Sequence, residues 1–242
     1  MKRLFDILVA VLGLALTLPL LFTACVLIWL QDFASPFYIA PRVGQNGKTF
    51  KMIKLRSMIL KADKLGISST SASDRRITPI GKAIRSYKLD EIPQLWNVLV
   101  GEMSLVGPRP NVQHKGVELY TEVEQRLLSV KPGITDLASI VFSDEGEILK
   151  NSRDPDLDYN QLIRPWKSRL GLLYVENSSL ALDIKLIFLT LLAVIYREKA
   201  LTGVQNILNE LGADERIKRV AKRQERLTPF PPPGAETIVM AR

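Results

Sequence analysis

Residues 88–110, KLDEIPQLWNVLVGEMSLVGPRP, govern the reading of this chain. Two adjacent carboxylates, Asp90 and Glu91, precede a short apolar run that ends at Gly101. The pattern predicts a helix with Asp90 at its N-cap and Gly101 just past its end. Pro93 then falls in the first turn, where a missing N–H breaks no intrahelical bond. A helix start carries partial positive charge and free N–H groups, which favour an ionised Asp90 and attract an anion such as phosphate. Further along, Pro108-Arg109-Pro110 mounts a guanidinium on a stiff, extended backbone. Arginine suits two-pronged binding of phosphate oxygens. Together these groups would serve attack at phosphorus. The same residues also fit a plain account of a cap, a first-turn acid and a solvated loop charge.

The spelling LDEIPQLWNVLVGEMSLVGPRP closely resembles the signature of bacterial sugar transferases, the monotopic phosphoglycosyl transferases that begin undecaprenyl-linked glycan assembly. The resemblance implies that Asp90 and Glu91 form a catalytic dyad and that the Pro-Arg-Pro loop lies at the active site. Other stretches agree with it. Lys54-Leu55-Arg56-Ser57-Met58 resembles the family's K-x-R-S/T-M, and Arg76, Thr78, Gly81 and Arg85 match the pattern before the dyad. Lys131-Pro132-Gly133-Ile134-Thr135 resembles a K/R-P-G-I-T loop, and Tyr174, Asn177, Ser179, Asp183 and Lys185 follow a later family segment. After Thr135 the chain departs from the pattern. Many members continue to an Asn-Gly-Arg, whereas here Asp136, Ala138 and Ser139 lead on without that arginine, so the donor sugar is left open.

The 242 residues allow one domain with appendages, and the formal net charge of +8 fits anionic partners such as head groups, nucleotides or nucleic acid. A lone cysteine, Cys25, excludes an intrachain disulfide, and a lone histidine, His114, excludes a His-rich metal site and is given no role. An almost unbroken apolar run over residues 7–30, about 24 long, is enough to span a bilayer core. Pro19 near its middle predicts a kink. Basic residues flank both ends, Lys2 and Arg3 before and Arg42, Lys48, Lys51, Lys54 and Arg56 after, which places both flanks on the cytoplasmic side. A re-entrant helix is therefore favoured over a straight span, and the resemblance implies the same. Asp6 near the entrance reads either as an interfacial group or as an ordinary helix-start charge.

Residues 35–58 read as a β-hairpin around Asn46-Gly47. By the period of two, Phe50, Met52, Lys54 and Arg56 share a face of the return strand, which suits either an anionic ligand or a basic edge beside head groups. A helix from residue 59 should end by Gly66, and a Ser/Thr-rich surface loop should cover residues 67–73. Further helices are expected over residues 80–86, 116–130 and 161–173. Residues 180–195 read as an amphipathic helix at the interface. Asp154, Asp156 and Asp158 read as solvated. Residues 211–227 read as a basic helix suited to anionic lipid, and residues 228–242, rich in proline, as a disordered tail.

These readings combine into an α+β fold, mainly helical, with a small cytosolic catalytic domain that carries a β-hairpin. A re-entrant membrane helix (residues 1–34) precedes the catalytic domain (35–211), and a basic, disordered tail (212–242) follows. The resemblance implies transfer of a phospho-sugar from a UDP-sugar to undecaprenyl phosphate with release of UMP, at the cytoplasmic face of the bacterial inner membrane. Asp90 would be the nucleophile, Asp90 and Glu91 would hold Mg²⁺, and Arg109, Arg85, Lys54 and Arg56 would bind phosphate. For Arg85 a capping or ion-pair role with Glu91 stands as the alternative. Anionic lipids are expected partners, a homodimer is left open, and nucleic acid is not expected because no recognition motif is present. The rival account is a membrane-anchored scaffold without catalysis.

Overall fold

The apolar run forms one continuous helix, α1 (Lys2–Asp32), with Pro19 inside it. The computed structural model describes residues 1–65, 69–114 and 116–240. At 1.5 Å per residue α1 is about 46 Å long, and both of its ends are fastened to the same body. At the start, Lys2 Nζ pairs with Asp183 and Arg3 donates to the carbonyls of Val98 and Leu99. Asp6, only 3 % exposed, accepts from Ser104 Oγ at 2.8 Å and from Leu105 N–H at 3.2 Å. It is therefore a buried acceptor, which neither sequence reading anticipated. At the far end, Ala24 and Ile28 pack with Leu55 and Ile84, and Asp32 receives both terminal nitrogens of Arg56. Between these anchors Leu8, Leu12, Leu16, Leu18 and Phe22 are exposed. Just 11 % of the most apolar window of α1 is buried, so this is not the core helix of a soluble domain.

The predicted hairpin is present. Strands β1 (Phe37–Val43) and β2 (Thr49–Leu55) pair antiparallel, and Asn46 and Gly47 both take positive φ in the turn between them. The register sets Tyr38 opposite Lys54, Ala40 opposite Met52 and Arg42 opposite Phe50. These six residues share one face. Helix α2 (Pro79–Ser86) starts on Thr78, whose side chain accepts from Gly81 N–H, and α3 (Gln94–Val100) stops at Gly101 with φ 90°. A second, two-stranded sheet joins β3 (Ser104–Val106) to β4 (Gly133–Thr135) in parallel.

The remaining body is helical, and with two small two-stranded sheets the fold is mainly α. Short helices α4 (Glu122–Gln125), α5 (Leu137–Val141), α6 (Glu145–Ile148) and α7 (Pro155–Asp158) lead to α8 (Arg164–Glu176), α9 (Leu180–Ile195), α10 (Arg197–Glu210) and α11 (Glu215–Ala221). Their core is made by Leu137, Ile140, Leu170, Tyr174, Leu186 and Leu208. Helix α9 turns Leu182, Leu186 and Leu189 inward while Ile184, Phe188, Leu191 and Ile195 stay exposed, so both of its faces are apolar. A buried ion pair, Glu124 with Arg164, is completed by Ser168 Oγ.

Several elements differ from the sequence reading. Residues 116–130 do not form one helix. They break into 3₁₀ turns around α4, because Thr121 and Glu124 build a capping box that starts a new helix in mid-segment. After Met58, which bridges to Ile77, the chain makes a 3₁₀ turn (Ala62–Leu65) in place of an α-helix; the expected stop at Gly66 and the start of the Ser/Thr loop lie outside the described residues. Asp156 is buried and accepts from Ser69 N–H, so it is not solvated. The basic helix shrinks to α11. Beyond it the proline-rich tail is laid against the body rather than disordered. Phe230 stacks on Trp166 with centroids 4.6 Å apart, its N–H donates to Gln161 O, and Pro232 and Pro233 are buried. Prolines start with little backbone freedom to lose, and one aromatic ring supplies the apolar anchor.

Removing the Asp6 carboxylate leaves a buried hydroxyl and a buried N–H without an acceptor. Asp6→Ala should therefore destabilise the protein by about 1–3 kcal/mol, read as a lowered midpoint of thermal unfolding in detergent, whereas alanine at exposed Leu4 should leave the midpoint nearly unchanged.

Candidate active site

The dyad lies in the turn between α2 and α3. Lys88 takes a left-handed conformation (φ 58°), which ends the α2 segment, and Leu89–Glu91 then form a single 3₁₀ turn. Asp90 is consequently not an N-cap. That position of α3 belongs to Pro93, which caps with no side chain. The seven-residue α3 thus gives Asp90 no cap bond, and the charge of the site comes from side chains instead.

Those side chains arrive from three directions. Glu91 Oε1 receives Arg109 at 2.6 Å and Lys54 at 3.3 Å, and Lys54 Nζ stands 3.9 Å from Asp90. Lys54 belongs to β2, Glu91 to the 3₁₀ turn and Arg109 to the loop after β3, so this one carboxylate ties three segments together. Burial on its own would raise the Glu91 pKa, but Arg109, Lys54 and Lys88 hold it well below the ordinary carboxylate range. For Lys54, burial and the neighbouring Arg109 lower the pKa, with Glu91 and Asp90 opposing. Arg109 is raised further by Glu91. Asp90 is 7 % exposed and its closest charged neighbour is Lys54, which leaves its carboxylate the less engaged of the two.

The Pro-Arg-Pro loop is set by main chain. Gly107 and Gly133 meet face to face across the β3–β4 pair: a Cβ on Gly107 would stand 2.4 Å from Lys131 O, and one on Gly133 would stand 2.1 Å from Gly107 N. Gly107 N–H also donates to Thr135 O, and Gly133 N–H donates to Pro108 O. Arg109 therefore leaves a backbone seat that has no room for any side chain.

An open cavity of about 1940 Å³ receives Asp90, Glu91, Lys54, Arg85 and Arg109. Arg85 lines it without an ion pair among the described residues, and Glu91 is bonded elsewhere, so the expected alternative of an Arg85–Glu91 pair does not form. Arg56 lines the same cavity, but its guanidinium is engaged by Asp32 and the carbonyl of Ser35, so it also clamps the end of α1. The strand ends at Leu55, and beyond that point the alternation no longer fixes where a side chain points.

Sequence reasoning passed over further groups on this cavity. Lys167 pairs with Glu145 and lies over the Tyr159 ring at 5.4 Å, and the charges of both Lys167 and Glu145 are felt at Arg109. Asp136 caps α5 through Ser139 N–H, and burial raises its pKa. Arg42 lines the cavity from β1; its place on the inward face follows from the hairpin register and was readable from the turn. Among the described residues no three His, Cys, Asp or Glu groups gather as a metal site. Two adjacent carboxylates are still a donor set of the kind that holds Mg²⁺ when substrate phosphates and water complete the shell.

A cluster of two carboxylates and two cations opens on the cavity, and the same body carries a long, largely exposed apolar helix. Comparison with known proteins gives the class. The family model for bacterial sugar transferase matches residues 1–197, and the chain belongs to that family and is an enzyme. It is 35 % identical over 208 residues to the exopolysaccharide production protein ExoY of Sinorhizobium fredii, covering 80 % of this chain and 84 % of that one. It is 39 % identical over 205 residues to the undecaprenyl-phosphate glucose phosphotransferase of Komagataeibacter xylinus, covering 82 % of this chain and 36 % of that one. It is 32 % identical over 196 residues to the UDP-N-acetylgalactosamine-undecaprenyl-phosphate N-acetylgalactosaminephosphotransferase of Aeromonas hydrophila, covering 80 % of this chain and 43 % of that one. The chain thus spans most of the first relative and less than half of the other two.

Because its folded pKa is depressed, Glu91 contributes stability that is complete above its ordinary value of 4.5 and is lost as pH falls toward the folded value. The difference in unfolding midpoint between the wild type and Glu91→Gln should be flat above about pH 5 and shrink progressively below it, as followed by circular dichroism across a pH series.

Proposed function

We propose that this transferase moves a sugar-1-phosphate from a UDP-sugar to undecaprenyl phosphate in two steps. An Asp90 carboxylate oxygen attacks the β-phosphorus of the donor, the bond from that phosphorus to the bridging oxygen breaks, and UMP leaves. A phosphate oxygen of the lipid acceptor then attacks the same phosphorus, the bond to Asp90 breaks, and the carboxylate is restored. The observation that carries this reading is the uneven engagement of the dyad: Glu91 is held by Arg109 and Lys54, while Asp90, on the same cavity, has only Lys54 at 3.9 Å as an ion-pair partner among the described residues. A carboxylate is an established covalent nucleophile. Arg109 and Lys54 would meet the charge that gathers on the transferring phosphoryl oxygens, and Arg85 lines the same cavity. Asp90 and Glu91 would hold Mg²⁺, which supplies charge neutralisation at the diphosphate. Two-step transfer suits a water-soluble donor and a membrane-bound acceptor, since they need not occupy the site together.

Membrane attachment belongs to the same reading. Helix α1 carries its exposed leucines between two ends that are both bound to one body, which fits entry into and return from one leaflet at the cytoplasmic face of a bacterial inner membrane. The exposed residues of α9, among them Phe188 and Leu191, would lie at the interface. Residues 1–34 would then be the membrane element and residues 35–211 the catalytic unit. The nature of the sugar is left to a donor panel.

With Mg²⁺, undecaprenyl phosphate and a panel of UDP-sugars, UMP should be released from at least one donor. Asp90→Asn should lower the rate by roughly 10³-fold or more, and intact-mass analysis of the wild type without acceptor should find one phospho-sugar on Asp90. Release that persists in Asp90→Asn would reject the nucleophile. For topology, cysteines introduced singly at Lys2 and at Lys48 in a Cys25→Ser background should both react with an impermeant reagent from the same side of sealed vesicles; labelling from opposite sides would reject the re-entrant helix.

A further inference from the structure

A second anion seat adjoins the dyad, on the strand that carries Arg42. Val43 N–H donates to Asn111 O at 2.9 Å, so the end of β1 is stitched to the residue that follows the Pro-Arg-Pro loop. Arg42 is one residue before that stitch and Arg109 two residues before Asn111, and both line the same cavity. The register puts Tyr38, Arg42 and Lys54 on one face of the hairpin, with Lys54 and Arg42 four strand positions apart, or about 13 Å.

The cations along this face are not equivalent. Lys54 and Arg109 share Glu91 as their counter-charge. Arg42 has no carboxylate partner among the described residues, and its guanidinium donates to the neighbouring carbonyl of Pro41 at 2.9 Å. It is half-buried, and burial together with the neighbouring Arg109 lowers its pKa against the opposing effect of Tyr38. An arginine in a protein stays charged nonetheless. A half-buried cation that feels a second cation and has no carboxylate partner of its own is relieved when an anion enters.

The other side of β1 says which anion. Phe37 and Ile39 are 43 % and 56 % exposed, Pro41 is exposed as well, and α1 carries further exposed leucines. A ligand that is a phosphate monoester at one end and a hydrocarbon at the other matches both sides of the strand. We propose that Arg42 takes the phosphate of the lipid acceptor, leaving Lys54 and Arg109 to the diphosphate of the nucleotide-sugar. The assignment rests on the two-step transfer proposed above: Arg42 draws the acceptor's phosphate into the cavity, and once UMP has left, that phosphate passes on to the phosphorus held on Asp90.

The test uses the full chain in detergent with undecaprenyl phosphate and whichever UDP-sugar releases the most UMP. Two quantities are read for wild type, Arg42→Gln and Arg42→Lys: the burst of UMP in the absence of acceptor, and the KM for each substrate at turnover. The expected result is an undiminished burst and an unchanged donor KM, with the acceptor KM raised roughly 10- to 100-fold in Arg42→Gln and less in Arg42→Lys. A preserved burst also reports that the variant is folded. If Arg42→Gln fails to fold, the same comparison is made on Arg42→Lys. An unchanged acceptor KM, a lost burst, or a donor KM that rises as much as the acceptor KM overturns the assignment. Absence of a burst in the wild type refutes the two-step reading instead, and the acceptor-to-donor KM split still decides the role of Arg42.

Discussion

The structure depends on holding an apolar helix by both of its ends. Thirty-one residues of α1 gain little from the body along their middle, where leucines face outward, so the helix is positioned by polar locks at its extremities. Asp6 is seated on the start of β3, Lys2 reaches Asp183 on α9, and Asp32 is gripped by Arg56 at the end of the hairpin. Buried polar contacts of this kind cost much when broken and specify geometry when complete. The strands and turns that receive these locks are the ones that carry the site: β3 leads into the Arg109 loop, and β2 presents Lys54. The apolar helix and the dyad thus share one frame, and the placement of the one fixes the placement of the other.

Within that frame Glu91 acts as a junction. It neutralises Lys54 and Arg109, which otherwise repel each other, and it does so from a 3₁₀ turn that Lys88 creates. The geometry separates the roles of the two acids. Glu91 organises cations, and Asp90 keeps its oxygens less committed. The second group of charges, Glu145 with Lys167 beside Tyr159, also lines the cavity and extends the field felt by Arg109. The departure from the family spelling after Thr135 falls in this same region, where Asp136 has become the cap of α5.

Much of this was legible in the sequence, for identifiable reasons. The Asn-Gly pair determined the hairpin, because few turns accept two positive φ values. The apolar run announced α1, and the spelling around Asp90 announced the family. The misreadings share a cause. Asp90 looked like a cap because local propensity favours it there, but Lys88 reversed the chain one turn early, which no residue type enforces. Lys54 and Arg56 looked equivalent because alternation was carried past the end of the strand, whereas Asp32, distant in sequence, engages the Arg56 guanidinium. The proline-rich tail looked disordered because its composition is that of a linker; Trp166 and Gln161 gave it a place to lie. In the last two cases the deciding partner was remote along the chain.

The paired glycines under the Arg109 loop have one more consequence. Where two main chains touch directly, the height of the loop above the sheet is fixed by covalent bond lengths and peptide hydrogen bonds, not by how well neighbouring side chains fill space. Drift in the surrounding core can then be absorbed without moving the guanidinium. Sequences that diverge elsewhere around the cavity can reshape it while the Arg109 loop keeps its coordinates, provided positions 107 and 133 stay without side chains.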